Sequence, residues 1–173
     1  MKSVADFSFG DIVKFEEKDI NDFINNALLH HDIGDRYRVC LHDNPENTLQ
    51  EMFIYRFKGE YYRPEKHEHS ETHIAIRGKE LMIFFDDEGN IEDYCLMDSQ
   101  NTFICRTNNA KYHMTIVLSD LAIDYEVAPG PFVKKDHIFP DWAPVGNIKS
   151  ENDDYIKKII SKVGIGYDEN QTI

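Results

Sequence analysis

No stretch of this chain approaches the roughly 18–20 consecutive apolar residues that a membrane span requires. The opening MKSVADFSFGDIVKFEEKD carries a lysine but no continuous apolar run of the kind a signal peptide needs. A cytoplasmic protein with no membrane partner is therefore expected. Cysteine is scarce: Cys40, Cys95 and Cys105 are an odd number, without CxxC or CxxH spacing, among apolar or β-prone neighbours (YRVCLH, EDYCLM, TFICRT). They read as small buried thiols in a reducing compartment, with a catalytic thiol as the alternative. Positive charge is also short, 19 Lys and Arg against 32 Asp and Glu, for a net charge of −13. The basic residues are dispersed, so nucleic acid and anionic membrane surfaces are excluded as partners. Small anionic ligands stay open wherever a local Arg or Lys is aimed at them. No repeat, low-complexity run or linker interrupts the 173 residues, enough for one domain with its own core.

What is present divides into three parts. KDINDFINNALLHHD (18–32) has helical periodicity, with Ile20, Phe23, Ile24, Ala27 and Leu28 on one face, Asp19 at the start and Gly34 beyond the end. His30 and His31 suit the negative end of that helix dipole. From residue 36 to 128 the texture changes to short β-prone runs: RYRVCL, EMFIYRF, EYYRP, THIAIRG, ELMIFFD, DYCLM, TFICR, MTIVLS and AIDYEVA. Turn residues such as DNPEN, DDEGN and SQN separate them, the pattern of an antiparallel sandwich or barrel. APGPF (128–132) and FPDWAP (139–144) then read as an irregular tail, anchored by Trp142. SENDDYIKKIISKVG (150–164) closes the chain as a helix, with Ser150 and Asp153 as a capping box and Gly164 as the stop. The organisation expected is a helical segment at 1–35 packed on a barrel at 36–147, followed by a helix and frayed end at 148–173.

The densest chemistry lies in RPEKHEHSETHIAIRG, residues 63–78. If KGEYYRPEKH is a strand, Tyr61, Arg63, Glu65 and His67 share one face. After a turn at Glu68–Ser70, Glu71, His73 and Ala75 share a face of the next strand. Folding the two together brings Glu65, His67 and Glu71 to one place. Buried carboxylates and imidazole are costly unless paired or bound to a cation. The bland alternative is a hydrated, charged hairpin.

Written out, the segment is Gly59-x5-Glu65-x-His67-x3-Glu71-x6-Gly78. It resembles the first cupin motif, G-x5-H-x-H-x3/4-E-x6-G, in every spacing, with Glu65 where the first histidine normally stands. TFICRTNNAKYHM resembles the second motif only through His113, since the expected glycines and proline are missing. A narrower likeness runs over about residues 20–147. RYRVCLHDNPENTLQEMFIYRFKGEYYRPEKH, FFDDEGNI, YEVAPGPF and FPDWAP look like the WbuC-type cupin metalloproteins, which are associated with bacterial O-antigen and other surface-polysaccharide synthesis.

The resemblance implies an all-β cupin double-stranded β-helix (jelly-roll barrel) with an N-terminal and a C-terminal helix. It implies a divalent metal ion (Fe, Mn, Zn or Ni) on Glu65, His67, Glu71 and His113. Glu65 would alternatively be a general base in a site without metal, or a local shift would use His67 and His69 instead. His73, inward by parity, joins it as an acid–base candidate or as a packed neighbour of the ligands. Arg38 and His42, from the lead-in, and Tyr61 and Arg63 are the candidate substrate contacts, each with a structural alternative. His137 matches no motif position and reads as surface. The functional expectation is a metal-dependent enzyme acting on a small polar molecule such as a sugar or sugar nucleotide, by isomerisation, epimerisation, elimination or oxygenation. A non-catalytic saccharide- or effector-binding module and a metal-free sugar isomerase or epimerase are the alternatives. Cupins commonly pair through strands, so a homodimer is expected from the family, with residues 1–20 available as an added strand for a neighbour.

Overall fold

The alternation of side chains along each strand decides what faces the interior of this protein. The computed structural model describes residues 3–7, 10–31, 36–108 and 110–166. Gly34 and the side chains of His30 and His31 fall outside that description. The elements are β1 (Ser3–Phe7), α1 (Glu17–His31), β2 (Arg36–Cys40), β3 (Leu49–Phe57), β4 (Glu71–Arg77), β5 (Lys79–Phe85), β6 (Ile91–Asp98), β7 (Ile104–Thr107), β8 (Tyr112–Val117), β9 (Leu121–Pro129), a 3-10 turn (Lys134–Asp136) and α2 (Lys149–Val163). One sheet runs β1-β2-β3-β9-β4-β7 and the other β6-β5-β8. No ladder closes the two sheets into one barrel among the described residues. β1 lies parallel to β2 of its own chain, whereas the other pairs are antiparallel.

Each sheet turns its apolar face outward and covers it with a helix. On the large sheet Tyr37, Val39, Phe53, Tyr55, Phe57 and Ile123 pack against Ile20, Phe23, Ile24 and Ala27 of α1. On the small sheet Leu81, Ile83, Phe85, Met114 and Ile116 pack against Tyr155, Ile156, Ile159 and Ile160 of α2. Burying each such side chain fully contributes about 1.5–3 kcal/mol. The opposite faces look at each other and are partly polar. Strand register aligns Arg38, Ile54, Asp124 and Ala75 in one row, and Met52, Glu126, His73 and Cys105 in the next. Across from them stand Glu80, Met82 and Phe84 beside Val117, Thr115 and His113. Ala75, Met82 and Met97, with Phe84, Cys95 and Cys105, form the apolar contact between the sheets. All three cysteines are free thiols.

Several local readings need correction. EYYRP forms no strand. Pro64 has no N–H to give to a ladder, and only Glu65 and Lys66 make isolated bridges, to His113 and Ile138. Tyr61 and Tyr62 are both buried but part company, Tyr61 among the α2 contacts and Tyr62 against Val117 and Ala122. In α1 the buried stripe stops at Ala27, since Leu28 is 43% exposed. Asp19 does serve the helix start, but from inside the first turn, its Oδ2 accepting the Glu16 N–H at 2.8 Å. In α2 the helix begins at Lys149, one residue before Ser150, and its cap Ile148 makes no side-chain bond. Asp153 pairs with Lys149 at 3.0 Å instead. Gly164 ends the helix in the left-handed conformation, φ 76°.

Two glycines carry the turns that position the site. Gly78, at φ +77°, joins β4 to β5, and a Cβ there would meet the Leu121 carbonyl oxygen at 2.0 Å. Gly89, at φ +83°, leaves room for Trp142, whose ring a Cβ would approach to 2.6 Å. Trp142 packs on Phe85 and Tyr112 and donates its Nε1–H to the Asp87 carbonyl at 3.0 Å, tying the tail down. No helix among the described residues is long and apolar enough to cross a membrane.

Candidate metal centre

Glu71 opens β4 and points inward, and three imidazoles close on its carboxylate. His67 Nε2 lies 3.1 Å from Oε2, while His113 Nε2 and His73 Nε2 lie 2.9 and 3.1 Å from Oε1. His73 comes from the same strand two residues on, His113 from β8 on the facing sheet, and His67 from the segment before β4. All four side chains are buried.

The far nitrogens fix the tautomers. His67 Nδ1 is 2.9 Å from the His69 carbonyl oxygen, and His113 Nδ1 is 3.0 Å from the Lys111 carbonyl oxygen. His73 Nδ1 is 2.8 Å from Asp124 Oδ2. Carbonyl and carboxylate oxygens only accept, so each Nδ1 carries the proton. In the neutral rings each Nε2 then presents a bare lone pair to an anionic carboxylate. Such an arrangement calls for a cation between the groups, either protons or a metal, and acceptors behind the rings are how metal-bound histidines are oriented.

Without a metal, protons fill that role. Burial pulls the His113 imidazole down, but Glu71 outweighs it and the group is pushed up to about 9. His67 is raised for the same reason against the same burial. Burial pushes the Glu71 carboxyl up, yet His73 and His113 hold it well below the usual range. Even so, Glu71 Oε1 and His73 Nε2 are buried with no hydrogen-bond partner.

The wider charge count agrees with a divalent ion. Arg36, Arg38 and Arg56 meet Glu65, Glu71, Glu80, Asp124 and Glu126 in and around the space between the sheets. Among these groups of the described residues, three guanidiniums against five carboxylates leave two negative charges in excess when the imidazoles are neutral. One divalent cation supplies that balance, which buried charge requires. The residues present therefore fit a metal ion.

The candidate residues do not all arrive at this point. His67, Glu71, His73 and His113 do. Glu65 is engaged elsewhere: its Oε1 is 3.2 Å from Arg36 Nη1 and its Oε2 is 3.1 Å from His137 Nδ1. Burial raises its carboxyl, but the His137 hydrogen bond and Arg36 outweigh that and hold it far below the usual range. His137 is therefore no free surface residue. Arg38 lies on the inner face of β2, lowered to about 10 by burial and by Arg36 beside it. His42 bonds the backbone of Glu51 at 3.0 Å, next to the hairpin joining β2 and β3. Tyr61 donates to the Pro144 carbonyl at 2.9 Å, and Arg63 to the Pro140 carbonyl at 2.5 Å. Both hold the tail, away from the cluster.

Spacing within residues 59–78 does not disclose Asp124, Glu126, Arg36 or Arg56. Ligand atoms of Glu71, His73 and Glu126 lie within 4.8 Å of one another, as do those of His67, His69 and Glu71. The His67 and His69 rings are stacked at 3.9 Å and 8°. A cation in the plane of one ring is therefore out of the plane of the other, so the two do not share one ion in this arrangement.

The chain resembles several solved structures. A variant of salicylate 1,2-dioxygenase from Pseudoaminobacter salicylatoxidans, crystallised with gentisate, superposes with a TM-score of 0.56 at 8% identity over 73% of this chain and 37% of that one. The capsular polysaccharide assembling protein CapF of Staphylococcus aureus gives 0.51 at 14% identity over 58% of this chain and 30% of that one. Protein SO0799 of Shewanella oneidensis gives 0.51 at 10% identity over 68% and 78%. The fold is cupin-like. At these identities the likeness is one of fold, and the chain spans only about a third of the length of the dioxygenase and of CapF. A family model described as a domain of unknown function, DUF6016, matches residues 17–97 of this cupin-like chain. No curated protein matches it.

Proposed function

We propose that this chain is a metalloprotein that holds a divalent cation at His67, Glu71 and His113 and acts on a small polar molecule. The observation that carries the reading is the convergence of imidazole Nε2 lone pairs, each with its Nδ1–H already committed, on one buried carboxylate. Imidazole with carboxylate suits iron, zinc and nickel, and manganese where carboxylate counts more. A bound cation of this kind supplies Lewis acidity toward a carbonyl or hydroxyl oxygen. The protein contributes the rest. Glu126, half-buried beside Glu71 and His73, is the carboxylate placed to take or return a proton at its Oε atoms. Arg38, on the same inner face, offers its planar donors to a carboxylate or phosphate of the substrate. A sugar or sugar nucleotide of surface-polysaccharide synthesis is the substrate class supported by the WbuC-type resemblance, and by the fold likeness to a protein described as assembling capsular polysaccharide.

One observation favours a metal-free acid–base reading: with His113 pushed up to about 9 and Glu71 far down, the cluster can hold protons instead of a metal. Metal analysis by mass spectrometry decides between them, on protein purified without a nickel column, beside His67→Ala/Glu71→Ala. About one metal per chain, lost in the variant, is expected. Wild-type protein holding no more iron, manganese, zinc or nickel than the variant, even after reconstitution, refutes the metal reading.

A further inference from the structure

Position 65 is where the chain departs from the motif it resembles, and its carboxylate is taken up by other groups. Both oxygens of Glu65 already have cationic or donor partners, Arg36 and His137. His73 is the reverse case. Its Nε2 is buried without a hydrogen bond, 3.1 Å from Glu71 Oε1. Behind it, Nδ1 meets Asp124 Oδ2 at 2.8 Å, and the other Asp124 oxygen contacts the Arg56 guanidinium. Arg56 Nη1 in turn faces Glu80 at 3.6 Å across the gap between the sheets. Four elements, β5, β3, β9 and β4, thus line up Glu80, Arg56, Asp124 and His73, none more than 4% exposed.

Building on the metal-binding reading above, we infer that His73 is the third imidazole donor of the centre, in the role Glu65 does not fill. Asp124, clamped by Arg56, is the positioning residue that fixes its tautomer. A carboxylate accepts only, so with Asp124 in place the His73 proton stays on Nδ1 and Nε2 is bare toward Glu71. Without Asp124 the proton is free to move to Nε2. There it would donate to Glu71 Oε1, closing the position to a cation. Arg56 keeps Asp124 from turning away, because a buried guanidinium needs that acceptor.

The test uses the full chain, stripped of metal and titrated with cobalt(II), followed by calorimetry and by the visible absorption of the bound ion. Glu65→Gln should bind within about threefold of wild type and with the same spectrum. Asp124→Asn should lose about 10–100-fold in affinity, the cost typical of removing a ligand's support, and His73→Ala, which removes the donor itself, should lose at least as much and change the spectrum. Loss of cobalt in Glu65→Gln with retention in His73→Ala overturns the inference. Nitrogen-15 NMR of metal-free wild-type protein supplies a readout that needs no variant to fold. The His73 proton should be on Nδ1, and a proton on Nε2 overturns the positioning role of Asp124. Wild-type protein that binds no cobalt yet shows the Nδ1 proton sinks the metal reading while leaving the tautomer assignment standing.

Discussion

Replacing Arg56 by methionine should unfold the protein far more readily than neutralising Glu80, although the two side chains face each other. Arg56 is 4% exposed, between Asp124 at 1% and Glu80 at 2%. Its guanidinium hydrogen-bonds Asp124, whereas Glu80 stands 3.6 Å away and neither of its oxygens accepts a hydrogen bond. Arg56→Met strands two buried carboxylates without their cation, a loss of about 3–5 kcal/mol. Methionine refills much of the volume, so a cavity adds little. For a chain of this size that is a fall in Tm of roughly 6–20 °C, at about 2–4 °C per kcal/mol. Glu80→Gln keeps the shape and removes one of the excess negative charges, so it should cost no more than about 1 kcal/mol. Urea unfolding of metal-free protein at neutral pH, followed by Trp142 fluorescence, measures both, with an unchanged m-value as the control. Equal losses in the two variants would show that Glu80, not Asp124, is the partner that matters.

Two further outcomes follow from burial and from the cluster. Ile159 is 2% exposed where α2 meets the small sheet, so Ile159→Ala should cost about 2–5 kcal/mol in the same urea assay. His113, pushed up to about 9 by Glu71 against the pull of burial, stabilises the metal-free fold fully below its ordinary pKa near 6.5. That contribution is lost as pH rises through about 9 and is on the order of 3 kcal/mol. EDTA-treated protein should therefore be less stable at pH 9.5 than at pH 6, and His113→Asn should flatten the slope. Metal affinity should run the other way over the same window, because a ligand imidazole must be neutral.

The strands were legible where one face is apolar. RYRVC alternates Tyr37 and Val39 with Arg36 and Arg38, and AIDYEVA alternates Ile123 and Tyr125 with Asp124 and Glu126. That period of two correctly marks β2 and β9. It does not say which face is inside, and charged alternates in a strand ordinarily look toward water. Here α1 and α2 lie over the apolar faces, so the charged faces turn inward. The Glu/His segment was legible because its glycines and the candidate ligands His67 and Glu71 lie within twenty residues, and Gly78 sits at a left-handed turn. Asp124 and Arg56 were not, because strand pairing, not local spacing, brings them to His73.

The same inversion explains why the interior holds charge at all. Two outer helices satisfy the hydrophobic demand of both sheets, and the space between the sheets is then stabilised by pairing rather than by oil-like packing. Apolar contacts there are small: Ala75 with Met82 and Met97, Met52 with Ile54, and Val117 with Ala122. Fixed guanidiniums cover part of the carboxylate charge, and what they leave is gathered at Glu71, where the imidazoles wait with their lone pairs. A fold arranged this way carries its demand for a cation in its strand register. The demand should survive replacement of Glu65 and fail when the Arg56–Asp124–His73 line is cut.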